Sequence, residues 1–280
     1  MNHSGLPVPG KIVSNRQLIN EHYLMTVNLP EPIMNPLPGQ FIMVMLNRRG
    51  EVFLGRPFSI YNYNRRRNKA TIDILYQVVG RGTRLMAELE RGDTLGIFGP
   101  HGKSFDMFPH VRNVVLIAGG MGVAPISYLA SYYKNNIKAF NGNIICYSGA
   151  RTSDHLLGMD RLIATCSSVH ISTDDGSAGY CGAVTELFAG ELPGYVPDQC
   201  VLYACGPSPM LKRLSEILKG HAIPCQVLLE QRMACGVGAC LGCVVEVIHA
   251  GEESQYARVC VDGPVFDIRD INWNTTLGES

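Results

Sequence analysis

An excess of charge of either sign is missing from this 280-residue chain: lysine and arginine number 24, aspartate and glutamate also 24. Without a basic field there is no electrostatic footprint for nucleic acid and no polybasic patch for an anionic membrane surface. A neutral chain points instead to a protein or a small molecule as partner. Charged residues are scarce as well, 17% against 46% hydrophobic, which excludes extended disorder and leaves apolar material for sizeable cores. No secretory leader is expected. Met1-Asn2-His3-Ser4-Gly5-Leu6-Pro7 has neither a basic n-region nor an apolar h-region. The ten cysteines are therefore expected as thiols in a reducing cytoplasm rather than as disulfides. The most membrane-like run, Val114 to Ala130, is short and broken by Gly119, Gly120, Gly122 and Pro125, so it reads as a buried strand, a turn and a helix. Repeats and low-complexity tracts are absent. None of the eight histidines stands at a catalytic spacing from a carboxylate or cysteine, and no catalytic acid or base is expected.

Cysteine spacing is the strongest positive signal. Four residues separate Cys235 from Cys240, two separate Cys240 from Cys243, and sixteen lie between Cys243 and Cys260. The first three follow the C-x4-C-x2-C spacing of plant-type [2Fe–2S] sites, with a distant fourth thiolate completing the set. Gly236, Gly238 and Gly242 suit a loop that wraps a cluster and brings backbone N–H groups close to sulfur. Structural zinc is the rival, but zinc sites usually pair two short hooks, whereas here three cysteines crowd one loop and the fourth is single. Four buried free thiols are the remaining alternative. Cys146, Cys166, Cys181, Cys200 and Cys225 are expected as small buried hydrophobes.

The first hundred residues read as strands between turns. Lys11–Ile19, His22–Leu29, Gln40–Leu46 and Ala70–Val79 are β-type runs, and Pro30, Pro32, Pro36 and Pro38 mark a loop. Ile72, Ile74, Tyr76 and Val78 fall on one face at period two, as a half-buried antiparallel strand requires. A closed antiparallel β-barrel follows. Within it, Arg56-Pro57-Phe58-Ser59 places a cation, a rigid residue, a ring and a hydroxyl in sequence, a set that could hold a flavin. Gly80-Arg81-Gly82-Thr83, ahead of a short helix over Arg84–Leu89, could present N–H groups to a pyrophosphate. Either motif alone is equally at home as a structural turn. Leu75, Tyr76 and Gln77, just ahead of that turn, are expected alongside the flavin.

From about residue 109 strands alternate with helices. Asn113–Ala118, Asn143–Gly149, Val169–Thr173, Val201–Ala204 and Gln226–Leu229 are apolar strands, with helices over Ile126–Lys134 and Pro209–Lys219, the signature of a parallel α/β sheet. Ligands of such sheets bind beyond the carboxyl ends of strands, where Gly119, Gly120 and Gly122 fall, and likewise Cys205, Gly206 and Pro207. A dinucleotide is indicated, although G-x-G-x-x-G itself is not present.

The order of Arg56-Pro57-Phe58-Ser59, Gly80-Arg81-Gly82-Thr83, Gly119-Gly120-Met121-Gly122-Val123-Ala124-Pro125 and Tyr203-Ala204-Cys205-Gly206-Pro207 resembles the ferredoxin–NADP reductase superfamily. Glu230-Gln231-Arg232-Met233-Ala234-Cys235, the cysteine loop and Arg258-Val259-Cys260-Val261-Asp262-Gly263-Pro264-Val265-Phe266 narrow the resemblance. They are similar to the electron-transfer subunits of NAD-dependent, type B dihydroorotate dehydrogenases. Phe58 departs from the aliphatic residue or tyrosine that many members carry there. The resemblance implies three modules: an FAD-binding antiparallel β-barrel over 1–108, an NAD-binding α/β parallel sheet over 109–230, and a small C-terminal [2Fe–2S] module over 231–280. It implies electrons passed from a dihydroorotate-oxidising, FMN-containing catalytic subunit, in a heterotetramer of pyrimidine biosynthesis, to NAD. Apolar residues such as Val244, Val245, Val265 and Phe266 border the loop, and a one-electron centre at the edge of a module suits a donor that is another protein. The alternative is a reductase subunit serving a ferredoxin, an oxygenase, or a sulfide-dehydrogenase or transhydrogenase system. Nicotinamide exchanges two electrons at once and a cluster one, so a chain holding both needs a flavin between them. NAD is expected over NADP, because only Arg151 follows the second α/β strand and Asp174-Asp175 would repel an extra phosphate.

Overall fold

The computed structural model describes residues 7–30, 35–46, 53–66, 69–248 and 253–275. Residues 1–6, His3 among them, and likewise Pro32 and His249 lie outside them. The N-terminal region is strand-rich: β1 (Val8–Ile19), β2 (His22–Leu29), β3 (Phe41–Met45), β4 (Arg56–Ser59), β5 (Asn62–Arg66), β6 (Lys69–Gln77), the short helix α1 (Arg81–Ala87) and β7 (Thr94–His101). These strands form one antiparallel sheet in the order β4-β3-β7-β1-β2-β6-β5. No ladder joins its end strands among the described residues, so this sheet is barrel-like rather than closed by hydrogen bonds. Side-chain packing completes the curl, with Phe58 of β4 meeting Tyr76 of β6 edge-on at 6.0 Å. The expected alternation on β6 holds: Ile72, Ile74 and Tyr76 are buried and Val78 packs against the same core. Asn15 ties the barrel together, donating to the carbonyls of Met86 and Leu89 at 2.8 and 2.9 Å and accepting from the Tyr76 hydroxyl at 3.0 Å.

The second sheet is built from β8 (Asn113–Gly119), β9 (Asn143–Ala150), β10 (Ser168–Thr173), β11 (Tyr180–Cys181), β12 (Cys200–Cys205) and β13 (Cys225–Leu228). Its helices are α2 (Val123–Asn136), α3 (Met159–Thr165), α4 (Val184–Glu191) and α5 (Ser208–Ile217). The C-terminal stretch adds the hairpin β14 (Val244–Val247) and β15 (Gln255–Arg258), then β16 (Val265–Asp267). The strand order β11-β10-β9-β8-β12-β13-β16 is parallel except for β16, which runs antiparallel to β13. The order reverses between β8 and β12, creating the crevice where such sheets take ligands.

Two helices begin earlier than their sequences suggest. The glycine run closes as one tight turn over residues 120–122 and α2 starts at Val123, with Pro125 inside its first turn, where a missing N–H costs no bond. Likewise α1 starts at Arg81 rather than at Arg84. The junction near residue 108 is packed rather than a linker. The Asp106 carbonyl accepts from the Tyr203 hydroxyl at 2.7 Å, the Phe108 N–H donates to the Tyr133 hydroxyl at 2.9 Å, and the two tyrosine hydroxyls are 2.5 Å apart. Among the described residues no helix is long and apolar enough to cross a membrane.

Candidate functional site: three cradles in one chain

At the barrel's open edge the two N-terminal motifs meet. A Cβ on Gly82 would stand 2.1 Å from Nε and 2.5 Å from Cζ of Arg56, so only glycine leaves room for that guanidinium. Arg56 also donates to the Leu54 carbonyl. Thr83 is less available than its position suggests. Its buried hydroxyl accepts from the N–H groups of Val79 and Gly80 at 2.9 and 3.1 Å and donates to the Gly80 carbonyl at 3.1 Å, so it holds the turn. Leu75 and Tyr76 are buried on opposite sides of β6, Leu75 toward the α/β domain and Tyr76 in the barrel core. What they can offer a ligand is main chain. The Asp73 carbonyl accepts from the Tyr61 N–H on the side away from β2, and by strand periodicity the main-chain groups of Leu75 and Gln77 point the same way. There β5 has already ended, since its ladder stops at Asp73, leaving an open edge that faces β4. Arg56, Pro57, Phe58 and Ser59 are all half-buried beside it.

At the sheet crevice, Gly122 lies against the turn after β12: its Cβ would meet the Cys205 carbonyl oxygen at 2.1 Å and the Gly206 nitrogen at 2.8 Å. Gly119 and Gly122 are buried, while Gly120, with φ of 52°, and Pro207 are exposed and Gly206 is half-buried. Cys205 is fully buried; desolvation, and then the charge of Glu230, push its thiol well above its ordinary range. Glu230, just beyond β13, opens the motif that precedes the cysteine loop, but the sequence gives it no place at the crevice. Glu230 is exposed as a residue, while desolvation of its carboxyl raises its pKa. Only the fold brings Glu230 and Cys205 together.

The cysteine loop is organised by the β14–β15 hairpin. Cys243 precedes β14 and Cys260 follows β15, so hairpin pairing sets them side by side; the Val259 N–H donates to the Cys243 carbonyl at 2.9 Å. The sixteen-residue gap is the length of that hairpin. The Val237 N–H approaches Cys235 Sγ and the Gly242 N–H approaches Cys240 Sγ, both at 3.4 Å. The first of these, with further loop donors, lowers the Cys235 thiol to about 6, whereas burial and a hydrogen bond with Cys243 push Cys260 up to about 12. Cys235 hydrogen-bonds with Cys240 and Cys243 with Cys260, and the charge of Cys235 also reaches Cys260, so the two pairs adjoin. Among the described residues no three metal-binding side chains gather as they would around a single ion. A two-iron cluster takes two ligands on each iron, so a two-plus-two donor set fits it better than it fits one zinc ion.

Several expectations are corrected. Of the four apolar residues that border the loop in sequence, Val244 is exposed, Val245 and Val265 are core and Phe266 is half-buried. The exposed apolar rim is instead Val237, Leu241, Val244 and Val261. Cys181 is exposed and Cys166 half-buried, so only Cys146, Cys200 and Cys225 are buried fillers. One cleft of about 700 Å³ opens where the three regions meet, lined by Gln40, Lys103, Asp106 and Gln226 among others, and it holds none of the expected cofactor residues.

The fold and its three cradles define an oxidoreductase of the ferredoxin–NADP reductase class with an added iron–sulfur module. Family models match in that order: an oxidoreductase FAD-binding domain over residues 9–105, an oxidoreductase NAD-binding domain over 116–216, and the iron–sulfur cluster binding domain of dihydroorotate dehydrogenase B over 230–272. Similar proteins include the dihydroorotate dehydrogenase B (NAD(+)) electron transfer subunit of Caldanaerobacter subterraneus subsp. tengcongensis, 38% identical over 93% of this chain and 96% of the relative. That of Geobacillus thermodenitrificans is 35% identical, again over 93% and 96%. The chain belongs to this family of dihydroorotate dehydrogenase B electron transfer subunits. Among solved structures, a chain of an NADH-dependent reduced ferredoxin–NADP oxidoreductase studied for electron bifurcation aligns with TM-score 0.80 at 27% identity, covering 98% of this chain and 92% of that one. A ferredoxin–NADP reductase from Neisseria gonorrhoeae aligns with TM-score 0.65 at 18% identity, over 78% of this chain and 92% of that one, a likeness of fold.

Proposed function

We propose that this chain takes electrons from a separate FMN-containing subunit that oxidises dihydroorotate, and passes them through [2Fe–2S] and FAD to NAD, in a cytoplasmic heterotetramer of pyrimidine biosynthesis. The observation that carries the reading is the two-plus-two cysteine set, folded against the sheet that bears Arg56–Ser59. When bound, the three groups supply one-electron chemistry, one- and two-electron chemistry, and hydride exchange, respectively. The chain's own residues bind and orient. Arg56, seated by Gly82, would take a flavin phosphate; main-chain groups of Leu75 and Gln77 would meet the ring system beside Phe58 and Ser59; Pro57 stiffens β4; Thr83 and Tyr76 would shape the slot from within. Gly119, Gly120 and Gly122 with Cys205, Gly206 and Pro207 would hold NAD in the crevice. Cys235, Cys240, Cys243 and Cys260 would hold the cluster. No side chain is asked to move a proton.

NAD is favoured over NADP by position. The Asp175 N–H donates to the Arg151 carbonyl at 3.3 Å, which sets the exposed Asp174-Asp175 pair at the end of β9, where an added phosphate would be repelled. We treat 1–108, 109–230 and 231–280 as functional divisions. The test is reconstitution. Alone, the chain should oxidise NADH with an artificial acceptor and leave dihydroorotate untouched; with the partner, dihydroorotate should reduce NAD. Efficient reduction of a ferredoxin or oxygenase, with no binding to a dihydroorotate-oxidising subunit, would shift the assignment to the reductase alternative.

A further inference from the structure

Between the cysteine loop and the flavin motif lies strand β3, and the side chain of Met43 packs on its loop-facing side. Residues alternate sides along β3: Ile42 and Val44 pack inside the barrel, whereas Phe41 and Met43 share a core with Cys243 and Cys260. Met43 is 1% exposed. In the β3–β4 ladder it stands opposite Pro57, with Val44 opposite Arg56 and Phe41 opposite Ser59. On the loop side, a Cβ on Gly236 would lie 2.7 Å from Met43 Cγ and 2.8 Å from its Sδ. Toward the start of β4, a Cβ on Gly55, the residue before Arg56, would lie 3.3 Å from Met43 Cε. The thioether thus fills the space that a side chain would need at Gly236, next to Cys235, and lies close to the space that one would need at Gly55, next to Arg56.

We propose that Met43 is the positioning residue that couples the cysteine loop to the flavin strand, fixing the separation of the two cofactors and hence the rate of electron passage between them while binding neither. The inference rests on the reading given above. An unbranched, polarizable thioether suits the task, since it fills an irregular gap without a polar atom to satisfy. Gly236 is its complement. With φ of 70° and Met43 pressed on its α-carbon, it lets the loop sit down on the barrel.

The test compares Met43→Ala, Met43→Leu, Gly236→Ala and the double variant Met43→Ala/Gly236→Ala in the full chain loaded with iron and FAD. Iron content, FAD content and NADH oxidation with a two-electron artificial acceptor report loading and flavin function. Bleaching of the cluster's visible absorption after anaerobic mixing with NADH reports the coupling. Met43→Ala should keep iron, FAD and acceptor activity yet bleach several-fold more slowly. Gly236→Ala should lose iron, and the double variant should regain part of it, because the collision has been removed. Bleaching at the wild-type rate in any Met43 variant that keeps its iron overturns the proposal. So does loss of iron from both Met43→Ala and Met43→Leu, which would make Met43 packing alone. Should the wild-type chain itself carry no iron, the functional reading fails rather than the coupling.

Discussion

The nicotinamide crevice and the cysteine loop are both made from glycines, but their walls differ. At Gly122 the wall is main chain, the Cys205 carbonyl and the Gly206 nitrogen, held by parallel ladders on either side. At Gly236 it is the side chain of Met43, reaching in from another module. A main-chain wall cannot move without distorting the sheet, whereas a thioether can turn to another rotamer. The crevice is thus rigid by construction and the loop adjustable, and adjustment suits a site whose spacing matters more than its shape.

The sharpest way to break the comparison is Gly122→Ala. It should cost about 3 kcal/mol or more, the upper range for overpacking, and abolish NADH binding, read by denaturant unfolding and by titration. Normal binding would show that the crossing yields after all. Next in size are alanine replacements of Cys235, Cys240, Cys243 and Cys260. Each should strip the iron and leave the flavin, because a thiolate lost from a four-thiolate site opens iron to solvent; full iron in two or more of them sinks the tetrathiolate assignment. Gly82→Ala tests a third kind of wall, a charged side chain. Displacing Arg56 should weaken FAD roughly tenfold or more, in keeping with about 1.5–3 kcal/mol for a hydrogen bond to a charged group, and Arg56→Ala should do the same. The smallest effect belongs to the clasp over the loop, where the Arg258 backbone N–H and Nε donate to Asp262 Oδ2 at 2.8 and 3.0 Å. This pair is partly exposed, so Asp262→Asn should lower stability by only about 0–1 kcal/mol and speed iron removal by a chelator slightly.

Local patterns made much of this readable. Period two identified β6, apolar runs between turn residues identified β8, β9, β10, β12 and β13, and spacing alone grouped the four thiols. Contacts set by the tertiary fold were not readable. The occupied hydroxyl of Thr83 depends on where α1 begins, and the burial of Leu75, on the face of β6 opposite Tyr76, depends on a second domain packing against that strand. Val244 and Val245 border the cysteines alike in sequence, and nothing local says that only the second will be covered. The nearness of Glu230 to Cys205 arises only when β13 is laid beside β12.

The last strand of the second sheet carries a consequence for how the protein is made. Edge strand β13 is covered by β16, which pairs Val265 with Leu228, Phe266 with Val227 and Asp267 with Gln226. On a ribosome, the apolar edge Cys225–Leu228 emerges well before its cover and stays open for pairing with other chains until residue 267 is out. A chain cut between the dinucleotide sheet and the cysteine loop would keep that edge bare. Such a fragment should associate through it, while the full-length chain, its edge sealed, should not.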